Sequence, residues 1–398
     1  MLEEEFGDQV EVTVVMDVPE GPDAEKAIRD VVQQGAQIVF ATSYRGAEVL
    51  ILDEPTAVLT PQESAELATI LRQMADEGKA IIFITHKLDE VMAFADRVTV
   101  LRAGRVVSTL PTGETTKEEL ARLMVGREVL FRLDKRTCQP GEVALEVVDL
   151  EALNDKGLPA LRSISLTICA GEILGIAGVA GNGQRELAEV ITGLRAATGG
   201  RVRVYGRDTT NCSPRQAIEA GVSHIPGDRT GVGLVPNLPV SDNLALKAYR
   251  RPPLARGPIL DRRALLRFAR RLIETFRIAT PTAETPARLL SGGNQQRVVL
   301  AREITASRGL LIAVHPTRGL DVGATESVRR TLLEQRDQGA AILLISEDLD
   351  ELFELSDRIA VLFEGRIMGV VSADEAGPEE IGLMMAGQRG TETALASV

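Results

Sequence analysis

Aromatic residues make up only 3% of this 398-residue chain, and tryptophan is absent. A surface that grips nucleic acid needs stacking rings and positive charge. Here the net charge is −12, so the composition argues against a nucleic-acid partner. No apolar run approaches the roughly 18 residues a membrane-spanning helix needs. The opening stretch MLEEEFGDQ is acidic and has no apolar segment of the kind a signal peptide carries. Cysteine is scarce too: Cys138, Cys169 and Cys212 share no metal-ligand spacing. An odd trio reads as reduced thiols in a cytosol, each a small buried hydrophobe. What is present is ordinary, with 44% hydrophobic and 26% charged residues in a length that suits two or three domains. The acidity is uneven. Residues 1–43 hold ten acids and two bases, a charge of −8, which leaves −4 for the rest and marks a boundary near residue 43.

The chain repeats itself. Shifted by 261 residues, 47–126 aligns with 308–387 without a gap, with 25 of 80 positions identical. Generic resemblance between α/β segments would not hold one register that long, so this is a duplicated domain. Each copy opens on an apolar run (Val49–Leu52, Leu310–Ala313) that reads as a buried parallel strand. A helical stretch, a second apolar strand (Ala80–Ile84, Ala341–Ile345), another helix and a β-rich tail follow. Strands alternating with helices indicate an α/β fold with a mostly parallel sheet. The second copy extends back to about Val143, whereas only 46 residues precede the first. The first copy is therefore expected to lack its front half.

In the second copy the strand-like GEILGIA (171–177) leads into Gly178-Val179-Ala180-Gly181-Asn182-Gly183-Gln184-Arg185. The glycine spacing is that of the phosphate loop GxxxxGK[ST], in which backbone N–H groups and a helix N-terminus surround phosphate. Gln184 stands in place of the lysine and Arg185 in place of the Mg²⁺-binding hydroxyl, and no GK[ST] occurs anywhere in the chain. A glycine loop alone could be a tight strand–helix turn. Downstream lies Leu290-Ser291-Gly292-Gly293-Asn294-Gln295-Gln296-Arg297, a Ser-Gly-Gly turn opening a helix, where Ser291 and free N–H groups suit a γ-phosphate. LSGGNQQR resembles the signature of ATP-binding cassette (ABC) ATPases, in the form used by importers of simple sugars and nucleosides. The first copy is similar to the same family. Leu50-Ile51-Leu52-Asp53-Glu54-Pro55-Thr56 matches its Walker B segment, and Ile84-Thr85-His86-Lys87, 32 residues on, matches its switch segment.

The resemblance covers residues 44–388 and implies P-loop NTPase-like cassettes, one of them complete but degenerate and the other a C-terminal half. It implies ATP and Mg²⁺ as ligands, with Asp53 on the metal and Glu54 and His86 catalytic. Gly178, Gly181, Gly183, Gln184, Ser291, Gly292, Gly293, Gln295 and Asp321 would contact nucleotide. Cassettes of the family work in head-to-tail pairs, so Asp53, Glu54 and His86 would face Ser291 and Gly293. The repeat register aligns Asp53 with Val314, Glu54 with His315 and His86 with Glu347, and Gly227 stands where the family's Q-loop has a polar residue. The second copy has thus lost its lysine, metal acid, catalytic acid and switch histidine.

Residues 1–43 are not cassette sequence in this register. Val10–Val18 and Gln37–Thr42 read as strands and Pro22–Gln34 as an amphipathic helix. The stretch from Val18 to Ser43 resembles the basic membrane protein family of extracytoplasmic nucleoside receptors, which suggests an in-frame join of two genes. The expected layout is 1–43 receptor-like fragment, 44–126 half cassette, 127–142 linker, 143–388 degenerate cassette and 389–398 frayed tail. By resemblance the chain is a peripheral subunit on the cytoplasmic face of the cell membrane. It would dock on transmembrane permease subunits, with an extracytoplasmic substrate-binding protein as an indirect partner and no nucleic acid. Hydrolysis is expected to be negligible; a non-catalytic permease-binding subunit or a non-functional fusion product is the alternative. Arginines at 250, 251, 256, 262, 263, 267, 270 and 271 form a basic stretch whose plain reading is a solvated helix face.

Overall fold

The computed structural model describes residues 12–16, 38–44, 47–53, 55–56, 61–85, 87–102, 105–127, 135–137, 139–306 and 309–388. The expected helix at 22–34, Glu54, His86, Cys138 and the tail 389–398 lie outside the described residues. The fold falls into two compact units. Unit 1 is Met1–Phe131 with Gly319–Glu326, and unit 2 is Arg132–Arg318 with Ser327–Val398.

Unit 1 is a six-stranded sheet of β1 (Val12–Met16), β2 (Ile38–Tyr44), β3 (Ala47–Asp53), β4 (Ala80–Thr85), β5 (Arg97–Arg102) and β6 (Arg105–Pro111). Their spatial order is β2-β3-β4-β1-β5-β6. β3 and β4 run parallel, as expected of apolar strands separated by a helix, here Pro61–Asp76. Ile81 and Phe83, alternate residues of β4, are fully buried, and the Phe94 ring packs edge-on against Phe83 with centroids 5.0 Å apart. The helix Lys117–Val125 is bounded as its sequence demands. The Thr116 hydroxyl accepts from the Glu119 N–H at 3.2 Å, and Gly126 ends the helix in the left-handed region at φ 81°.

The stretch up to residue 44, read as two strands and a helix, supplies β1 and β2 to this sheet. β1 lies between β4 and β5, antiparallel to both, with Val12 beside Thr85 and Met16 beside Ile81. β2 is antiparallel to β3. A gap in a sheet exposes two rows of unpaired N–H and C=O groups, and any extended segment can satisfy them.

Unit 2 contains β7 (Val143–Leu153), β8 (Pro159–Cys169), β9 (Ile173–Ala177), β10 (Gly199–Val204), β11 (Arg207–Asp208) and β12 (Val222–Ile225). It continues with β13 (Ala255–Arg256), β14 (Ile259–Leu260), β15 (Leu310–Val314), β16 (Ala341–Ile345), β17 (Arg358–Phe363) and β18 (Arg366–Ser372). An antiparallel sheet β11-β10-β7-β8 accompanies a six-stranded sheet β12-β15-β16-β9-β17-β18, and β13 and β14 pair separately. β9 and β16 are buried along their whole length, which suits continuous apolar runs in a parallel sheet covered on both faces. Each such Leu or Ile contributes about 1.5–3 kcal/mol by leaving water.

The 261-residue offset carries over to the elements. Pro61–Asp76 maps on Val322–Asp337, Leu88–Phe94 on Leu349–Leu355, β5 on β17 and β6 on β18, end for end. No helix among the described residues is long and apolar enough to cross a membrane.

Candidate functional site

In unit 2 the C-terminal ends of β9, β15 and β16 lie side by side, with Ile176 opposite Ile345 and Ala177 opposite Val361. The loop 178–183 leaves that edge and turns into the helix Gln184–Ile191. Parallel strands gather their following loops at one edge, which is where such sheets bind ligands. Two glycines make the turn possible. Gly183 sits at φ 108°, and a Cβ there would lie 2.6 Å from the Ala160 carbonyl oxygen. A Cβ on Gly178 would come equally close to the Leu362 carbonyl oxygen and to Gln184 Nε2. Gly181 also has positive φ, at 88°, with open space beside it.

The loop is closed on itself. Gln184 is buried, and its Nε2 donates to the Val179 carbonyl at 2.9 Å. Arg185 turns outward, its Nε donating to Glu189 Oε1 at 2.7 Å and its terminal nitrogen pairing with Asp155 at 3.2 Å. Asn182 was not singled out from sequence, yet it pins the loop. Its Oδ1 accepts from the Glu364 N–H at 2.9 Å and its carbonyl from the Gly365 N–H at 3.0 Å. An Asn between two loop glycines was the available signal.

Beside the loop, Val314 ends β15 where a Walker B acid would stand, and His315 follows at φ 43°. The His315 N–H donates to the Ile345 carbonyl at 2.7 Å. Burial pushes the His315 imidazole below its ordinary 6.5, although the Glu347 carboxylate near it works in the opposite direction. The two residue types of the first copy, Glu54 and His86, are thus exchanged in the second, as His315 and Glu347. A Cβ on Gly227 would meet His315 Cδ2 at 3.2 Å and Val314 Cγ1 at 3.3 Å. A side chain at residue 227 would thus press on His315 and Val314, so Gly227 and these two residues share one tightly packed spot. These residues do not fit a magnesium ion: the strand ends in Val314, Gln184 and Arg185 are engaged elsewhere, and no described cluster of His, Cys, Asp or Glu suits a metal.

The Ser291 turn is built from inside. The Asn294 amide donates to Ser291 Oγ at 2.9 Å, and Gln295, buried, donates to the Ala287 and Leu290 carbonyls at 3.3 and 3.1 Å. Gln296 reaches the Pro316 carbonyl at 2.7 Å. Gln295 and Gln296 thus lock the turn at the head of the helix Gly292–Ala306, with Ser291, Gly292 and Gly293 partly exposed at its tip. Asp321 caps the helix Val322–Asp337, accepting from the Ala324 N–H at 2.8 Å. In unit 1, Asp53 is the last residue of β3, and Lys87 donates to the Thr56 carbonyl at 3.0 Å. The structure brings the loop glycines, Gln184, His315 and Glu347 to one edge of unit 2, while Asp53 belongs to unit 1.

A family model described as "ABC transporter" matches residues 161–318, a span that holds both the loop and the LSGGNQQR turn. The chain is 46% identical to the nucleoside import ATP-binding protein NupA of Lactococcus lactis subsp. cremoris, over 92% of this chain and 72% of that protein. The chain belongs to the ATP-binding proteins of ABC transporters. It is likewise 47% identical to the guanosine import ATP-binding protein NupO of Bacillus subtilis, over 94% of this chain and 74% of the relative. That second match necessarily reaches into the first 43 residues. A solved structure of an ATP-binding subunit of an ABC transporter covers 61% of this chain and 99% of its own length, at TM-score 0.51 and 22% identity. The cassette fold is thereby established for this member of the family.

Proposed function

We propose that the chain is the ATP-binding subunit of an importer for nucleosides or simple sugars, and that it binds nucleotide weakly and hydrolyses it negligibly. ATP with Mg²⁺ serves the family in general. The observation that carries the loss in this chain is the Gln184 amide, turned onto the Val179 carbonyl where a cation would reach for phosphate. A loop without its lysine loses a charge-assisted bond, worth about 1.5–3 kcal/mol. The names of the two relatives support import and favour nucleosides as cargo. In this reading the chain docks on permease subunits at the cytoplasmic membrane face, and an extracytoplasmic receptor delivers the cargo. Asp53, Glu54 and His86 descend from a hydrolytic site.

Calorimetry with ATP, with and without Mg²⁺, tests the reading together with a turnover assay. The expected result is at most weak binding, no effect of Mg²⁺ and no turnover. Micromolar Mg²⁺-dependent binding, or turnover abolished by Glu54→Gln, would overturn it. The same closed loop favours a second reading, a non-catalytic subunit that occupies the permease. Co-purification with a permease without ATP-driven transport would select it.

A further inference from the structure

The basic stretch of the sequence is not simply a solvated face. Asp261 accepts from the Ala264 N–H at 2.9 Å and starts the helix Arg262–Thr275, whose buried Ala264, Leu265 and Ala269 fix its orientation. Together with the helix Val240–Ala245 and the end of Gly292–Ala306, it lines a cavity of about 480 Å³ that opens to solvent. Lys247, Arg251, Arg267, Arg271 and Arg302 line it, with no carboxylate among its described lining residues. Glu303 lies behind the wall. It accepts Arg302 Nε at 2.8 Å, pairs with the Lys247 ammonium and accepts the His224 N–H at 3.0 Å. Burial works against that carboxylate, but Lys247 and Arg302 hold it below the usual range, so it stays charged.

Glu303 thus pairs with two of the five cations, while Asp261 and Glu219 feel the charges of Arg267 and Arg251 without forming ion pairs with them. Among the described residues, Arg251, Arg267 and Arg271 have no ion-pair partner, and Arg302, 7% exposed, has only its Nε engaged. Cations gathered around one groove with no carboxylate in its lining repel one another, and an anion bound among them relieves that repulsion. Phe268 faces the same space and stacks under Arg271, 5.8 Å from its ring centre.

We propose that this cavity is a second anion site, separate from the glycine loop, which takes a small phosphorylated molecule carrying a sugar or base ring. The guanidinium fork matches phosphate oxygens two at a time. The volume exceeds that of a bare phosphate ion and falls in the range of small-molecule sites. Phe268 supplies an apolar wall for the ring. Nothing in this proposal depends on the importer reading.

The test is calorimetry on the full chain with ribose 5-phosphate, ribose and inorganic phosphate as separate probes. Ribose 5-phosphate is expected to bind at one site, more tightly than phosphate, and ribose not at all. Arg267 and Arg271 are exposed, so the pair Arg267→Gln and Arg271→Gln leaves the fold intact and should weaken binding at least about tenfold. Arg263→Gln, on the same helix but outside the cavity lining, should leave it unchanged. No binding of ribose 5-phosphate at millimolar concentration, or an equal loss in Arg263→Gln, would overturn the proposal. So would loss of binding to phosphatidylglycerol vesicles in the double variant when soluble phosphates never bind, since the phosphate would then be a lipid headgroup.

Discussion

Units 1 and 2 build the same six-position sheet from different material. Position for position, β2-β3-β4-β1-β5-β6 answers β12-β15-β16-β9-β17-β18. Four positions agree in sequence register and in direction. The other two are filled in unit 1 by antiparallel strands, where β9 and β12 are parallel to their neighbours. The difference separates two demands that a parallel sheet usually meets together. Closing a sheet needs only backbone donors and acceptors at the right spacing, and either direction provides them. Building a phosphate site needs direction as well, because the chain must leave the strand at the edge where the neighbouring loops gather. β9 does so and delivers Gly178–Gly183 there. β1 enters at that edge, beside Thr85, and leaves from the opposite one. Asp357 marks the same contrast, for its carboxylate receives the Ile173 N–H at 2.8 Å at the start of β9. Its counterpart Asp96 is taken up instead by Arg72 at 2.7 Å.

The comparison can be broken most directly at β1. Val14→Pro deletes a ladder hydrogen bond in the middle of the sheet and leaves a carbonyl of its neighbour unpaired, so it should destabilise unit 1 markedly. Hydrogen exchange in β4 and β5 should then rise while β16 and β17 keep their protection. Unchanged protection in β4 would mean that β1 does not hold the gap. Phe83→Ala, in the core of unit 1, should cost about 3–5 kcal/mol, read as an earlier thermal transition of that unit alone.

Acid sharpens the contrast from the other side. Burial lowers the His224 pKa from 6.5 to about 4, a shift that the nearby Glu303 only partly opposes. Between those values the unfolded chain binds the proton and the folded one does not, so stability rises with pH. Unit 2 should therefore lose up to about 3 kcal/mol as pH falls from 6.5 to 4. His224→Gln should flatten that slope in a pH series of Tm values. Smallest is the effect expected at the loop. Gln184→Lys should tighten ATP binding about ten- to hundredfold, the worth of one charge-assisted bond, and confer no turnover, because Val314 still holds the metal acid's place. A turnover comparable to intact cassettes would contradict the account of unit 2.

Much of this was legible in the residues. The duplication follows from one ungapped register, and the same offset later maps helix on helix. The LSGGNQQR turn and the glycine loop name their own chemistry because each needs specific atoms at fixed spacing. The residue differences between the copies were legible too, since Val314, His315 and Glu347 can be aligned with Asp53, Glu54 and His86. Three things were not. The two hydrogen bonds of the Gln295 amide to the Ala287 and Leu290 carbonyls show in no linear pattern. Asn182 went unnoticed because its partners, Glu364 and Gly365, lie far along the chain. The arginines of 250–271 looked like a solvated face, because no linear pattern shows that Arg302 joins three of them around one cavity.

The sequence by itself determined the cassette family, the register of its repeat and which residue types stand at the aligned positions of the two copies, all carried by residue type at fixed spacing. Only the tertiary structure decided the direction in which β1 enters between β4 and β5, the turn of Gln184 into its own loop and the gathering of five cations. Those depend on which backbone and side-chain groups meet across the fold, and sequence separation puts no limit on such meetings.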